Sequence, residues 1–87
     1  MGILDNCADM WYLMSDFFYK HKCTNGYIDP QDKNYYSFKK GQYKFCIRRI
    51  NNHDYRLRII KQVKYKDILY CQLKSLEEVE NTVLQYF

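Results

Sequence analysis

Lysine and arginine recur at alternating positions in the middle of this chain. Lys44, Arg48, Arg56 and Arg58 come first, with Lys61, Lys64 and Lys66 close behind. A guanidinium can fork onto guanine O6 and N7 or onto a phosphate. An ammonium neutralises phosphate and releases counterions. Tyr70 falls in the same stretch and adds an aromatic face. The chemistry these types support is anion recognition, nucleic acid above all. The competing reading is a solvated sheet face whose charges guard edge strands against aggregation. Residues 33–74 hold eight Lys and four Arg against Asp54 and Asp67, a balance of +10, while the whole chain carries +4. The flanking segments 1–32 and 75–87 each carry −3.

Other constellations carry less. Cys7, Cys23, Cys46 and Cys71 form no C-x-x-C pair, so a zinc ribbon or thioredoxin-type site is not expected, and reduced thiols are. Cys7 and His21 lie ~21 Å apart on a straight helix, too far for one ion. His53 beside Asp54 reads as a turn rather than a proton-transfer pair. There is no Gly-rich phosphate loop and no nucleophile–base spacing. The expectation is a protein that is not an enzyme, with no catalytic residue, no metal and no cofactor.

These side chains need elements to hold them. The chain has 87 residues, 47% hydrophobic and 28% charged, which suits one small globular domain spanning 1–87. No apolar run reaches a membrane span, and the first residues lack the basic start of a secretory signal. The expected setting is cytoplasmic, or the host cytoplasm if the source is viral, with no membrane partner. Phe, Tyr, Met, Ile, Asn and Lys account for 41 residues, and Gly, Ala, Arg and Pro for nine. That codon-linked bias points to an AT-rich genome: a low-GC microbe or a mobile element.

Periodicity sets the element order. Residues 4–22 read as a helix with Asp5 or Asn6 as N-cap and an apolar stripe of Cys7, Met10, Trp11, Met14, Phe17 and Phe18. Asn25-Gly26 is expected to stop it. Residues 24–34 read as a loop, and 35–38 as a short strand. Alternation predicts strands over 42–50, 55–63 and 68–73, joined by hairpins. Ser75-Leu76-Glu77-Glu78 is a capping box, so 76–87 reads as a helix. The predicted fold is α+β: an antiparallel meander of three to four strands over 35–73, between an N-terminal and a C-terminal helix, in two layers. Phe45, Ile47, Leu57, Ile59, Leu69 and Leu73 fall on the core face. Lys44, Arg48, Arg56, Arg58 and Tyr70 fall on the opposite one. Met10, Trp11, Met14 and Phe18 offer either core or a partner surface, homodimer included.

Two resemblances follow. Tyr43-Lys44-Phe45-Cys46-Ile47-Arg48, Tyr55-Arg56-Leu57-Arg58-Ile59 and Lys74-Ser75-Leu76-Glu77-Glu78-Val79 make a basic three-stranded sheet followed by a helix. Over residues 36–87 this resembles the arm-type DNA-binding domains of phage tyrosine recombinases and ethylene-response-factor-like domains. That resemblance implies a sheet docked in the major groove, with DNA preferred to RNA. At the level of class alone, a very small α+β chain without enzyme motifs is similar to phage-encoded anti-CRISPR proteins. That likeness implies an inhibitor binding a host protein complex.

Overall fold

The structure, a computed structural model, describes residues 9–87. Its elements run α1 (Met10–Lys20), β1 (Thr24–Asp29), β2 (Asp32–Lys40), β3 (Tyr43–Asn51), β4 (Asp54–Lys61), β5 (Lys66–Leu73) and α2 (Leu76–Leu84). The five strands form one antiparallel sheet in sequence order, so the chain is an α+β meander between two helices.

The sheet is wider than the sequence suggests. Residues 24–34, read as a loop, contain all of β1 and the start of β2. β1 lies at the sheet edge and is exposed along nearly its whole length. It therefore lacks the apolar alternation by which a half-buried strand is recognised. Asn25 at φ +54° and two register shifts mask it further. The turn at Asp29–Asp32 is where Pro30 placed it, with Asp29 Oδ1 accepting from the Gln31 amide at 2.9 Å. Gly26 lets β1 approach closely, because a Cβ there would lie 3.1 Å from both the Phe18 ring and the Tyr36 hydroxyl and press on them.

Helix α1 also differs at both ends. The Asp9 side chain caps it, accepting from the Tyr12 amide at 2.8 Å. The candidate caps Asp5 and Asn6, and Cys7 of the stripe, lie outside the described residues. The helix stops before Asn25-Gly26. The Cys23 amide donates to Phe18 O, the Lys22 amide donates to Tyr19 O, and Lys22 stands at φ +55°. That is a Schellman ending with lysine in the place glycine usually takes.

One face of the sheet makes the core. Tyr36 and Phe38 of β2, Phe45 and Ile47 of β3, and Tyr55, Leu57 and Ile59 of β4 are buried, with Leu69, Cys71 and Leu73 of β5 packed against them. Helix α1 lies over β1 and β2, and α2 over β4 and β5. Phe38 stacks on Phe45 at 5.2 Å, and Phe87 lies 5.7 Å from both Phe17 and Phe45. Aromatic rings thus close the seam between the two helices.

The stripe on α1 packs into the core. Met10 and Met14 are fully buried. Trp11 and Phe18 turn inward too, Trp11 against the Tyr36 ring at 5.6 Å and Phe18 against Phe38 at 6.3 Å. With Phe17, 6.2 Å from Phe38, they form the apolar face that α1 sets against β2. At α2, Ser75 Oγ accepts from the Glu78 amide at 3.1 Å, while the Glu78 carboxylate takes the Lys74 amide instead of that of Ser75. The regular helix ends at Leu84, and residues 85–87 follow as turns.

The hairpins bend in different ways. Gly41 has φ +62°, as expected of glycine opening a two-residue turn. The β4–β5 loop instead places Tyr65 at φ +47° with 82% of its surface exposed. A left-handed backbone costs a bulky L-residue about 1–2 kcal/mol, and asparagine tolerates it better. Tyr65→Asn is therefore expected to raise stability by up to about 1 kcal/mol, seen as a thermal midpoint a few degrees higher. A lower midpoint would show that the ring makes stabilising contacts.

Candidate functional site

The uncovered face of the sheet carries the basic side chains in register. Alternation puts every second residue of β2 to β5 on it. One row reads Tyr35, Arg48, Arg56, Gln72, and the next reads Ser37, Cys46, Arg58, Tyr70. Arg48, Arg56, Arg58, Tyr35 and Tyr70 surround a shallow groove of about 280 Å³ with Cys46 at its floor. The site residues expected on this face are therefore brought together. Lys61, Lys64 and Lys66 are not part of the groove. They line a second hollow of about 380 Å³ at the end of the sheet, with Tyr43 and Asp67. Lys44 lies on the groove's own face, toward that end.

The arginines are not free. The Arg56 Nε and Nη2 donate to the Asp54 carboxylate at 3.1 and 3.3 Å. The Arg58 Nε and Nη2 donate to Asp67 at 3.1 and 2.9 Å. Arg48 Nη1 pairs with Asp32, and its guanidinium lies 5.0 Å over the Tyr35 ring. Hydrogen bonding to Asp54 raises the pKa of Arg56 above its ordinary value, and Asp67 does the same for Arg58. Cross-strand crowding is what these aspartates counter. Arg48 stands directly opposite Arg56, and like charges so placed repel. The aspartates offset that repulsion and fix each guanidinium in place. Exposed pairs of this kind add little to stability, so their main effect is geometric.

The lysines are arranged otherwise. Lys39 is opposite Lys44 on the outer face, and Lys61 is opposite Lys66 on the helix side, in line with Tyr43. Among the described residues, no carboxylate forms an ion pair with any of the four. Gln62 ties their hairpins together, its amide donating to Gln42 O at 2.9 Å and its side chain to Gly41 O at 3.4 Å. Lys64 and Tyr65 project from the tip. The sheet thus ends in an uncompensated positive patch bordered by an exposed aromatic.

Sequence reasoning missed the aspartate partners and Tyr35. Asp54 and Arg56 are two apart on one strand, a spacing that places them on one face and could have been read. Asp32 was hidden because the start of β2 was taken as loop. Cys23, Cys46 and Cys71 are free thiols, and Cys7 lies outside the described residues. Burial raises the thiol pKa of Cys23, partly countered by Lys40, and also raises that of Cys71. Among the described residues, no three His, Cys, Asp or Glu side chains gather as a metal site. No described helix is long and apolar enough to cross a membrane. No protein-family model matches this chain, and comparison with curated proteins and with solved structures finds no match.

Two tyrosines give the sheet a pH dependence. Burial, then hydrogen bonding with Cys46, pushes the Tyr35 phenol up to about 12. Burial also raises Tyr36, whose hydroxyl has no hydrogen-bond partner among the described residues. In the unfolded chain both lose their protons near pH ~10. Above that pH the unfolded state binds fewer protons than the folded one, so stability falls as pH rises. Urea unfolding followed from neutral to alkaline pH is expected to show this fall begin near pH ~10. Tyr36→Phe is expected to flatten it, and an unchanged slope in that variant would refute the assignment.

Proposed function

We propose that this chain is a non-catalytic nucleic-acid-binding domain that holds the phosphate backbone at the lysine-rich end of its sheet. One observation carries the reading. The outer-face arginines are matched to aspartates, whereas the cross-strand lysine pairs Lys39–Lys44 and Lys61–Lys66 have no carboxylate partner among the described residues. Like charges facing each other across a ladder repel. A polyanion wrapped round this end of the sheet, touching one pair on each face, relieves that repulsion and releases its own counterions. Phosphates are the polyanion that lysine suits best, as point charges without a required plane.

A second reading, a protein partner of the inhibitor type, is supported by the apolar content of the outer face. Ile50, Ile68 and Tyr70 are all exposed there. The two readings differ in their response to salt. Fluorescence anisotropy with labelled oligonucleotides, from low to physiological salt, is expected to give a log–log slope of about −3 or steeper for four contacting lysines. Replacing Lys61, Lys64 and Lys66 together with alanine is expected to make that slope shallower by about two. All three side chains lie outside the core and their mutual repulsion is removed, so the variant's thermal midpoint does not fall. No binding at low salt, or a slope the triple variant leaves unchanged, would refute the reading.

A further inference from the structure

We infer that the outer-face groove is a base-stacking site, which makes the preferred ligand single-stranded nucleic acid rather than duplex; this rests on the nucleic-acid reading above. The argument begins with the arginine edges. Forked readout of guanine uses two donors on one edge of a guanidinium. In Arg56 and Arg58 the Nε–Nη2 edge is already taken by Asp54 and Asp67. A guanidinium held by its edge still offers its flat face, and bases stack on such planes as they do on aromatic rings. The aspartates leave each guanidinium its flat face and its Nη1–Nη2 end, and the flat face is the part that meets a stacked base. They also fix the rotamers beforehand, so less entropy is lost when a ligand arrives.

The rings in the groove fit the same use. Tyr70 stands opposite Arg58 in register and is 65% exposed. Tyr35 lies beneath Arg48. Neither Tyr70 nor the three guanidiniums is needed by the core on the other face of the sheet. The groove is smaller than most small-ligand pockets, room for one heterocycle and not for a duplex edge. A base reaches such a surface only when it is unpaired and splayed out.

Groove and lysine patch also lie along one path. Lys44 follows Arg48 on the same face of β3, four residues away, or about 13 Å at the rise of a strand. Beyond Lys44 come the hairpin ends, where a ligand rounds the end of the sheet to reach Lys64 at the tip and Lys61 and Lys66 on the helix side. A strand with a base in the groove can run its phosphates toward that end. Sequence preference is weak in this arrangement, because every base has a π-face.

The test compares single-stranded and duplex DNA of one sequence and length, with anisotropy at low salt. Single strands are expected to bind at least about tenfold tighter. Tyr70→Ala is expected to weaken single-strand binding roughly tenfold, in line with loss of one stacked base, and to leave duplex binding unchanged. Tyr70→Trp restores the affinity. Tyr70 is largely exposed, so both variants keep the fold, and a circular dichroism melt of each checks it. Equal or tighter binding of duplex, or an inert Tyr70→Ala, overturns the stacking site while the salt-dependent lysine contact stands. If neither DNA binds at low salt, the nucleic-acid reading falls as well.

Discussion

Sheet width against helix width is the constraint on which the rest of this structure depends. Five strands at ~4.8 Å spacing span roughly 19 Å. Two helices packed side by side, ~10 Å apart, cover about that width. The chain has one helix for β1 and β2 and one for β4 and β5, with rings of Phe17, Phe45 and Phe87 filling the seam. Nothing among the described residues remains to cover the second face. That face must then satisfy two demands at once. It has to stay soluble, and it has to tolerate the close cross-strand approach of whatever soluble side chains it carries.

Charge density follows from that position. Side chains directly opposite on neighbouring strands have Cβ atoms about 4.5–5.5 Å apart. A basic sequence in a meander therefore sets cation against cation. The molecule answers this differently along its length. Toward the β3–β4 turn, aspartates at strand starts and turns reach the arginines: Asp32 for Arg48 and Asp54 for Arg56. Toward the β4–β5 turn, Asp67 is committed to Arg58, and the facing lysines are left without a carboxylate. Arginine is thereby held as a fixed plane and lysine is left as a mobile point charge.

Legibility in the sequence tracks one-sided burial. β3, β4 and β5 alternate because one face is core and the other wet, so their register and their facing residues could be read from period two. Ser75 announces α2 through a local hydrogen bond that needs no tertiary context. β1 has no buried side to create a pattern, and it escapes notice. Asp32 goes with it, because an ion pair between β2 and β3 cannot be inferred when the start of β2 is taken as a loop. Met10 and Met14 stay ambiguous for the opposite reason. An apolar helix stripe looks the same whether a partner or the chain's own sheet covers it, and only the packing against β2 decides.

The two ends of the sheet differ in how well local structure agrees with the fold. At the β3–β4 end the turns are closed by their own side chains: Asn51 accepts from the His53 amide, Asp29 from Gln31 and Asp32 from Asn34. At the other end local preference is repeatedly overruled. Lys22 and Tyr65 occupy left-handed positions where glycine or asparagine would sit at lower cost. Lys39 faces Lys44, and Lys61 faces Lys66. Each of these is unfavourable for the isolated domain, and none is required by the core. Conflicts between local preference and global fold gather at functional sites. Here strain, repulsion and an exposed ring share the one end from which a phosphate chain could be held, so the same residues that make that end costly alone are those a bound polyanion would stabilise.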